Sequence, residues 1–277
     1  MNQTKIEFRK VRDFGGMLNV TFEYIKSNFK ILLKSNLLIS APVILLAGVF
    51  LGIYQSSMFN FAVDYDLQQI GIPFLLSMFF MMLAYLIIMA VTYSHLMVYK
   101  KSESGVFDID DVWQMTKRNF FMILFSAIGY TIIAGFGFLF LIIPGVYLSI
   151  ALSLVFIVRL EEGLGFFAAV GRCTKLISGN WWFTFGLLIV VGMVQGFLMY
   201  ALYIPTYVVM FFTAFTGIES GTSGFTKIVF IITSIITSLS VLFYAISTIA
   251  IAFQYYNLVE RKEAPGLLQQ IDNINKE

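Results

Sequence analysis

Charge is scarce in this 277-residue chain. Asp, Glu, Lys and Arg make up 12% of it, while 59% is hydrophobic and 17% aromatic. Soluble domains carry about a quarter charged residues, and a mean hydropathy of +0.85 leaves too little polar surface to cover a globule in water. There is one cysteine, Cys173, so an internal disulfide is excluded. There is one histidine, His95, and with a single Cys that excludes a zinc or iron site built from His and Cys ligands within one chain. Net charge is only +2, which gives no electrostatic footprint for nucleic acid. No GxxxxGK[ST] phosphate-binding loop occurs, so the chain does not itself draw on ATP. No cofactor motif is found, and none is expected.

What remains is a set of long uncharged runs. A helix needs ~20 apolar residues to cross the hydrocarbon core. No charge lies between Lys34 and Asp64, and Leu37 to Tyr54 is almost wholly apolar, giving span one. The run from Asp66 to Lys100 gives span two, opened by Pro73 and ending near Val98. Phe120 to Val158 is uncharged throughout. At ~1.5 Å per residue it would be roughly 58 Å long as one helix, nearly twice the bilayer core, so it must fold back. Pro144-Gly145 is the expected break, with span three at about 120–141 and span four at about 144–159. Trp181-Trp182 opens span five. Pro205 lies in its distal part, and the short apolar piece beyond is read as a kinked continuation or an interfacial extension. Span six runs from about Ile228 to Tyr256. The first span is preceded by about 30 mixed residues and is too long for a signal core, so it is expected to be retained.

The charges orient this map. With the N-terminus in the cytoplasm, segments 1–33, 99–119, 159–180 and 257–277 hold 16 of the 18 Lys and Arg residues. The opposite loops carry Asp64, Asp66 and Glu219. Basic residues stay cytoplasmic, so six crossings with both termini inside fit best. The expected fold is an all-α, six-span bundle with cytoplasmic interfacial amphipathic helices. Its parts are an N-terminal segment, 1–33, a membrane domain, 34–256, and a tail, 257–277. All three tryptophans, Trp113, Trp181 and Trp182, fall at the inner interface, where indole rings favour the depth.

Three segments share a layout, a mixed-polarity helix followed by an Asn and then aromatics opening a span. They centre on Asn28, Asn119 and Asn180, spaced 91 and then 61 residues apart. Leu18, Phe22, Ile25 and Phe29 make an apolar stripe in the first. Phe166, Val170, Cys173 and Ile177 do so in the third. Helices of this kind lie in the headgroup plane. The layout fits either an approximate threefold duplication or three independent inner-leaflet helices.

At residues 142–190 a resemblance becomes specific. Pro144, Gly145 and Tyr147 open a span, Glu162 marks its charged exit, Arg172 sits on an amphipathic helix, and Gly179, Trp181 and Trp182 open the next span. This pattern resembles a bacterial family of six-helix membrane domains of unknown function, which includes the membrane domain sometimes fused to glycerophosphodiester phosphodiesterases. The stretch Arg12-Asp13-Phe14-Gly15 is similar to membrane proteins of Bacteroidota-type bacteria, some of which carry the names carotene oxygenase or phosphodiesterase. The residues support neither activity. The oxygenase needs four histidine ligands, and the phosphodiesterase a separate soluble barrel.

Each polar residue near a span has two readings. His95 fits a proton carrier or an interfacial histidine bonded to backbone, and the second is expected. Arg159, Glu161 and Glu162 fit a gate or headgroup site, but a membrane boundary with Arg159 snorkelling is expected, as is a structural Glu162–Arg172 pair. Asp108, Asp110 and Asp111 precede a helix, where capping accounts for them without a metal. Thr233, Thr237, Ser240 and Ser247 share a stripe of span six that suits close helix packing or the wall of a polar path, with Gln195 in span five as its candidate partner. No span carries an acid or base near its centre, which lowers ion-coupled transport and intramembrane catalysis. The expectation is a non-enzymatic scaffold or subunit in a bacterial inner membrane, contacting lipid and other membrane proteins but not nucleic acid. The alternative is a permease or lipid-handling transporter using Gln195 and Thr237. The residues singled out are Pro144, Gly145, Arg159, Glu162, Arg172, Asn180, Trp181, Gln195, Thr237 and His95.

Overall fold

The computed structural model describes residues 5–60, 67–102, 105–215 and 224–264. Asp64, Asp66 and Glu219 lie outside them, as does the tail from residue 265. The described residues are almost entirely helical and form no strand. The helices in chain order are α1 (Phe14–Asn60), α2 (Leu67–Lys101), α3 (Ile109–Phe140), α4 (Ile142–Leu152), α5 (Val155–Glu162), α6 (Phe166–Ile177), α7 (Trp181–Phe215), α8 (Gly224–Ser238) and α9 (Tyr244–Glu263). A short 3-10 stretch, Leu239–Phe243, carries α8 into α9. Six helical segments are long and apolar enough to cross a membrane: 14–58, 70–101, 109–140, 142–162, 181–215 and 224–263. The chain is an all-α, multi-pass membrane protein.

The helices overrun the expected boundaries because nothing in the sequence stops them. α1 passes residue 33 unbroken, and α3 passes Asn119 likewise. The amphipathic segments before spans one and three are therefore the first turns of those same helices. Only the third, α6, is a separate helix, bounded by Gly163 at φ +65 and Gly179 at φ +78. Both glycines adopt the left-handed conformation that side chains disfavour. α7 runs through Pro205 to Phe215 without interruption.

The fold-back after span three differs in detail from expectation. It occurs at Leu141, the single extended residue between α3 and α4 (φ −164, ψ 154). Pro144 lies in the first turn of α4, where its missing N–H has no intrahelical partner to lose. Gly145 does not make the turn. It admits the returning helix, since a Cβ there would stand 2.4 Å from Phe138 Cγ.

Two compact units divide the chain. Residues 1–35, 90–193 and 245–277 contribute to unit 1, and 36–89 and 194–244 to unit 2. In unit 1, α6 docks on α3 by seating the Phe166 ring over Gly129, where a Cβ would come within 2.3 Å of the ring. In unit 2, α1 and α8 pack backbone to backbone. A Cβ on Gly48 would lie 2.6 Å from Ile235 Cα, and one on Gly52 2.4 Å from Ile231 Cα. This small-xxx-small spacing lets membrane helices approach closely. Nearby, Phe50 stacks on Phe80 of α2 at 5.6 Å.

Candidate functional site

The densest polar assembly is in unit 1, around the end of α9. The sequence there, Gln254-Tyr255-Tyr256-Asn257, closes an apolar helix with four polar groups in succession. Gln254 and Asn257 are three residues apart, so they share a helix face, and both are buried. Asn257 Nδ2 donates to Gln254 Oε1 at 3.2 Å, and Gln254 Nε2 donates to Thr184 Oγ1 of α7 at 2.8 Å. Asn257 Oδ1 accepts from the Arg12 backbone N–H at 2.9 Å and from Arg261 Nε at 3.3 Å. Arg261 Nη2 in turn donates to the Arg12 carbonyl at 2.6 Å. One amide side chain thus joins the N-terminal segment to α9 and, through Gln254, to α7.

The two tyrosines serve the end of α5. Tyr255 donates to Glu162 Oε1 at 3.0 Å, and Tyr256 donates to Glu161. Lys100, near the end of α2, pairs with Glu161 and lies 4.8 Å over the Tyr256 ring. Glu162 also accepts from Arg172 Nε of α6, at 2.9 and 3.0 Å to its two oxygens. Arg172 then grips Glu263 of α9 with both terminal nitrogens, Nη2 to Oε2 measuring 2.9 Å. Its hydrogen bond to Glu263 and then the bond to Glu162 raise the guanidinium pKa further above its ordinary value, against the lowering effect of burial. Beside it, burial pushes the Cys173 thiol up to about 12, with the Glu162 charge adding to the effect.

The segment before α1 is held as a strap. Lys5 Nζ donates to the carbonyls of Lys100 and Ser102 at 2.8 and 2.7 Å, capping the end of α2. Tyr99 Oη donates nothing to Ile6 but accepts its N–H at 3.1 Å. Phe8 is buried against Tyr24, Tyr99, Phe253 and Tyr256, with ring centroids 5.1–6.4 Å away. His95 sits behind this cluster, fully buried, its Nδ1 2.7 Å from the Tyr24 hydroxyl and its ring edge-on to Phe107. Its partner is a side chain, where a backbone bond was expected.

The other residues singled out fall at different places. Arg159 is half-buried and its head group is held at the ends of neighbouring elements. Its Nη1 donates to Met122 O at 3.1 Å and Ser126 Oγ at 2.6 Å on α3, and its Nε to Leu164 O at 3.2 Å. Trp181 stacks on Tyr147 at 5.7 Å and donates to its carbonyl, so α7 is clamped to α4 by two positions of the resemblance. Asn180 precedes α7, its carbonyl accepting the N–H and hydroxyl of Thr184 at 3.0 and 3.1 Å. In unit 2, Gln195 is half-buried, with Nε2 3.7 Å from Met199 Sδ on its own helix. The hydroxyl stripe of α8 meets Thr206 and α1: Thr237 and Thr206 hydroxyls are 2.7 Å apart, and Ser234 donates to Gln55 at 2.7 Å.

Sequence reasoning missed Gln254, Asn257, Thr184, Tyr255 and Tyr256. The available signal was the abrupt run of polar groups in the last turns of an apolar helix. Chemically the assembly around Asn257 is a lattice of paired donors and acceptors, whereas His95 Nε2, behind it, is buried with no hydrogen-bond partner among the described residues. Among the described residues, no three His, Cys, Asp or Glu side chains group as metal ligands do. No protein-family model, curated protein or solved structure matches the chain.

Proposed function

We propose that the chain is a non-enzymatic component of a bacterial cytoplasmic membrane, with both termini in the cytoplasm, acting as a scaffold or subunit that binds other membrane proteins. The observation that carries this reading is the lattice around Asn257. It ties Arg12 to the end of α9, as an even number of crossings requires. It commits Glu161, Glu162, Arg172 and Arg261 to one another and to helix ends rather than to open space. The basic content of these segments favours the cytoplasmic side. The likeness of Pro144, Gly145, Glu162, Arg172 and Trp181 to a six-helix bacterial domain family is consistent with it. The permease alternative finds less support, because Thr237 is engaged with Thr206 where a path would need it open.

Trp113 on α3 and Phe167 on α6 keep 42% and 83% of their surface exposed. The test is photo-cross-linking from these two positions in native membranes. Reproducible capture of a defined membrane protein from one position, weakened when the other residue is replaced by Ser, supports the subunit reading. Capture of no protein from either position contradicts it.

A further inference from the structure

Within unit 1, two neighbouring cavities lie where α2 ends and α3 begins. One, of about 280 Å³, is lined by Met97, Lys100, Lys101, Arg118, Asn119 and Glu161 among others. The second, of about 560 Å³, is lined by Val98, Ser102, Gln114 and Asp111, with Lys101, Met115 and Arg118 bordering both. Either is far larger than the ~30 Å³ that one water occupies in the liquid. Together they match the size of small-molecule sites, about 300–1,000 Å³.

Their charges do not cancel. Glu161 is paired with Lys100 and accepts from Tyr256. Asp111 accepts the Asp108 N–H at 3.1 Å in the cap of α3. Lys101 and Arg118 are exposed, line both cavities, and form no ion pair among the described residues. Among the described residues lining the two cavities, three cations therefore face two acids, and Lys101 and Arg118 are the two cations outside any ion pair. Arg presents the planar fork that grips a phosphate, and Lys a point charge.

Depth adds a further constraint. Lys101 is the last residue of α2, and Arg118 stands two residues before the uncharged stretch that opens at Phe120. Both are at the level where a membrane helix changes from apolar to polar surroundings, which is where lipid phosphates sit. Met97, Val98 and Met115 supply apolar wall beside the cations.

We propose that this cleft binds a phosphate-bearing anion through Lys101 and Arg118, the phosphate of an anionic lipid headgroup or a free phosphate. The proposal is independent of the subunit reading. The test uses the full chain purified in a neutral detergent, titrated with phosphatidylglycerol, phosphatidylcholine and inorganic phosphate, binding being read by native mass spectrometry and by the shift in unfolding midpoint. A cation at a lipid surface strengthens binding roughly fivefold. Phosphatidylglycerol is expected to bind at least about tenfold more tightly than phosphatidylcholine, and Lys101→Gln/Arg118→Gln to reduce that preference below about threefold. Lys117→Gln, one residue away and outside both cavities, is expected to keep it. If inorganic phosphate displaces phosphatidylglycerol from the wild type but binds the double variant no better than chloride does, the ligand is free phosphate and the site stands. Equal binding of the two lipids with no response to inorganic phosphate, or a preference unchanged in a double variant that unfolds at the wild-type midpoint, overturns the proposal.

Discussion

Asn257 is fully buried and holds three neighbours through one amide: the Arg12 backbone, Arg261 and Gln254. Replacing it with Leu keeps the branching but strands a part-buried backbone N–H and the buried Gln254 side-chain oxygen. A buried polar group left without its partner costs about 1–3 kcal/mol. Asn257→Leu is therefore expected to lower the unfolding midpoint clearly in detergent, whereas Gln195→Leu, at a half-buried site, should move it little. An Asn257→Leu protein melting with the wild type would mean that the lattice contributes nothing to stability. Cys173 offers a chemical probe of the same region. Its thiol is buried and holds its proton up to about 12, so N-ethylmaleimide at pH 8 should leave it unlabelled in the folded protein and label it fully in SDS. The unfolded thiol ionises near ~8.5. Its folded pKa being raised, this group's contribution to stability is present below that pH and declines as the pH climbs toward about 12. None of these contacts was legible in the sequence. Hydropathy marks where Gln254 and Asn257 leave the apolar run, but not that Arg12, some 240 positions earlier, supplies the partner.

The long helices were legible as elements because each uncharged run is bounded by charge. Their ends were not, since amphipathic turns such as 14–33 and 109–119 continue a helix as readily as they start a new one. The turn at Leu141 was displaced from Pro144 for a related reason. Proline is tolerated in a first helical turn, so it marks the neighbourhood of a break and not its position. Packing between elements was less legible still. The hydroxyl stripe of α8 pointed to a close helix neighbour, yet the closest approach is made on the other side by Gly48 and Gly52 of α1, which meet Ile235 and Ile231. The Gly48-x-x-x-Gly52 spacing was the available signal. Gly48→Leu and Gly52→Leu are each expected to abolish the monodisperse peak in detergent, because backbone atoms stand within 3 Å of the new Cβ and cannot move aside. Gly192→Ala, on α7 with open space around it, should be neutral or stabilising by up to about 1 kcal/mol, the helix-propensity difference between the two residues. Equal tolerance at all three positions would argue against the α1–α8 contact.

At the scale of the whole molecule, the account rests on the partition between apolar runs and charge. Six segments of membrane length were readable from composition alone because lipid leaves no other home for them. Of the candidate site only the Glu162–Arg172 pair, ten residues apart, was readable; the other members come from segments far apart in sequence and become a site only when the helix ends are gathered. The proposed scaffold role rests on the lattice and on the positive-inside bias together, and both call for the two ends of the chain on one side. Cysteine accessibility in a Cys173→Ser background tests this directly, with single cysteines placed at Glu7, Asp64, Glu219 and Gln269 and a membrane-impermeant maleimide applied to intact cells. The account predicts labelling at 64 and 219 from outside, and at 7 and 269 only after the membrane is opened. Labelling of 7 and 269 with opposite sidedness, or of 64 and 219 only from the cytosol, would contradict it.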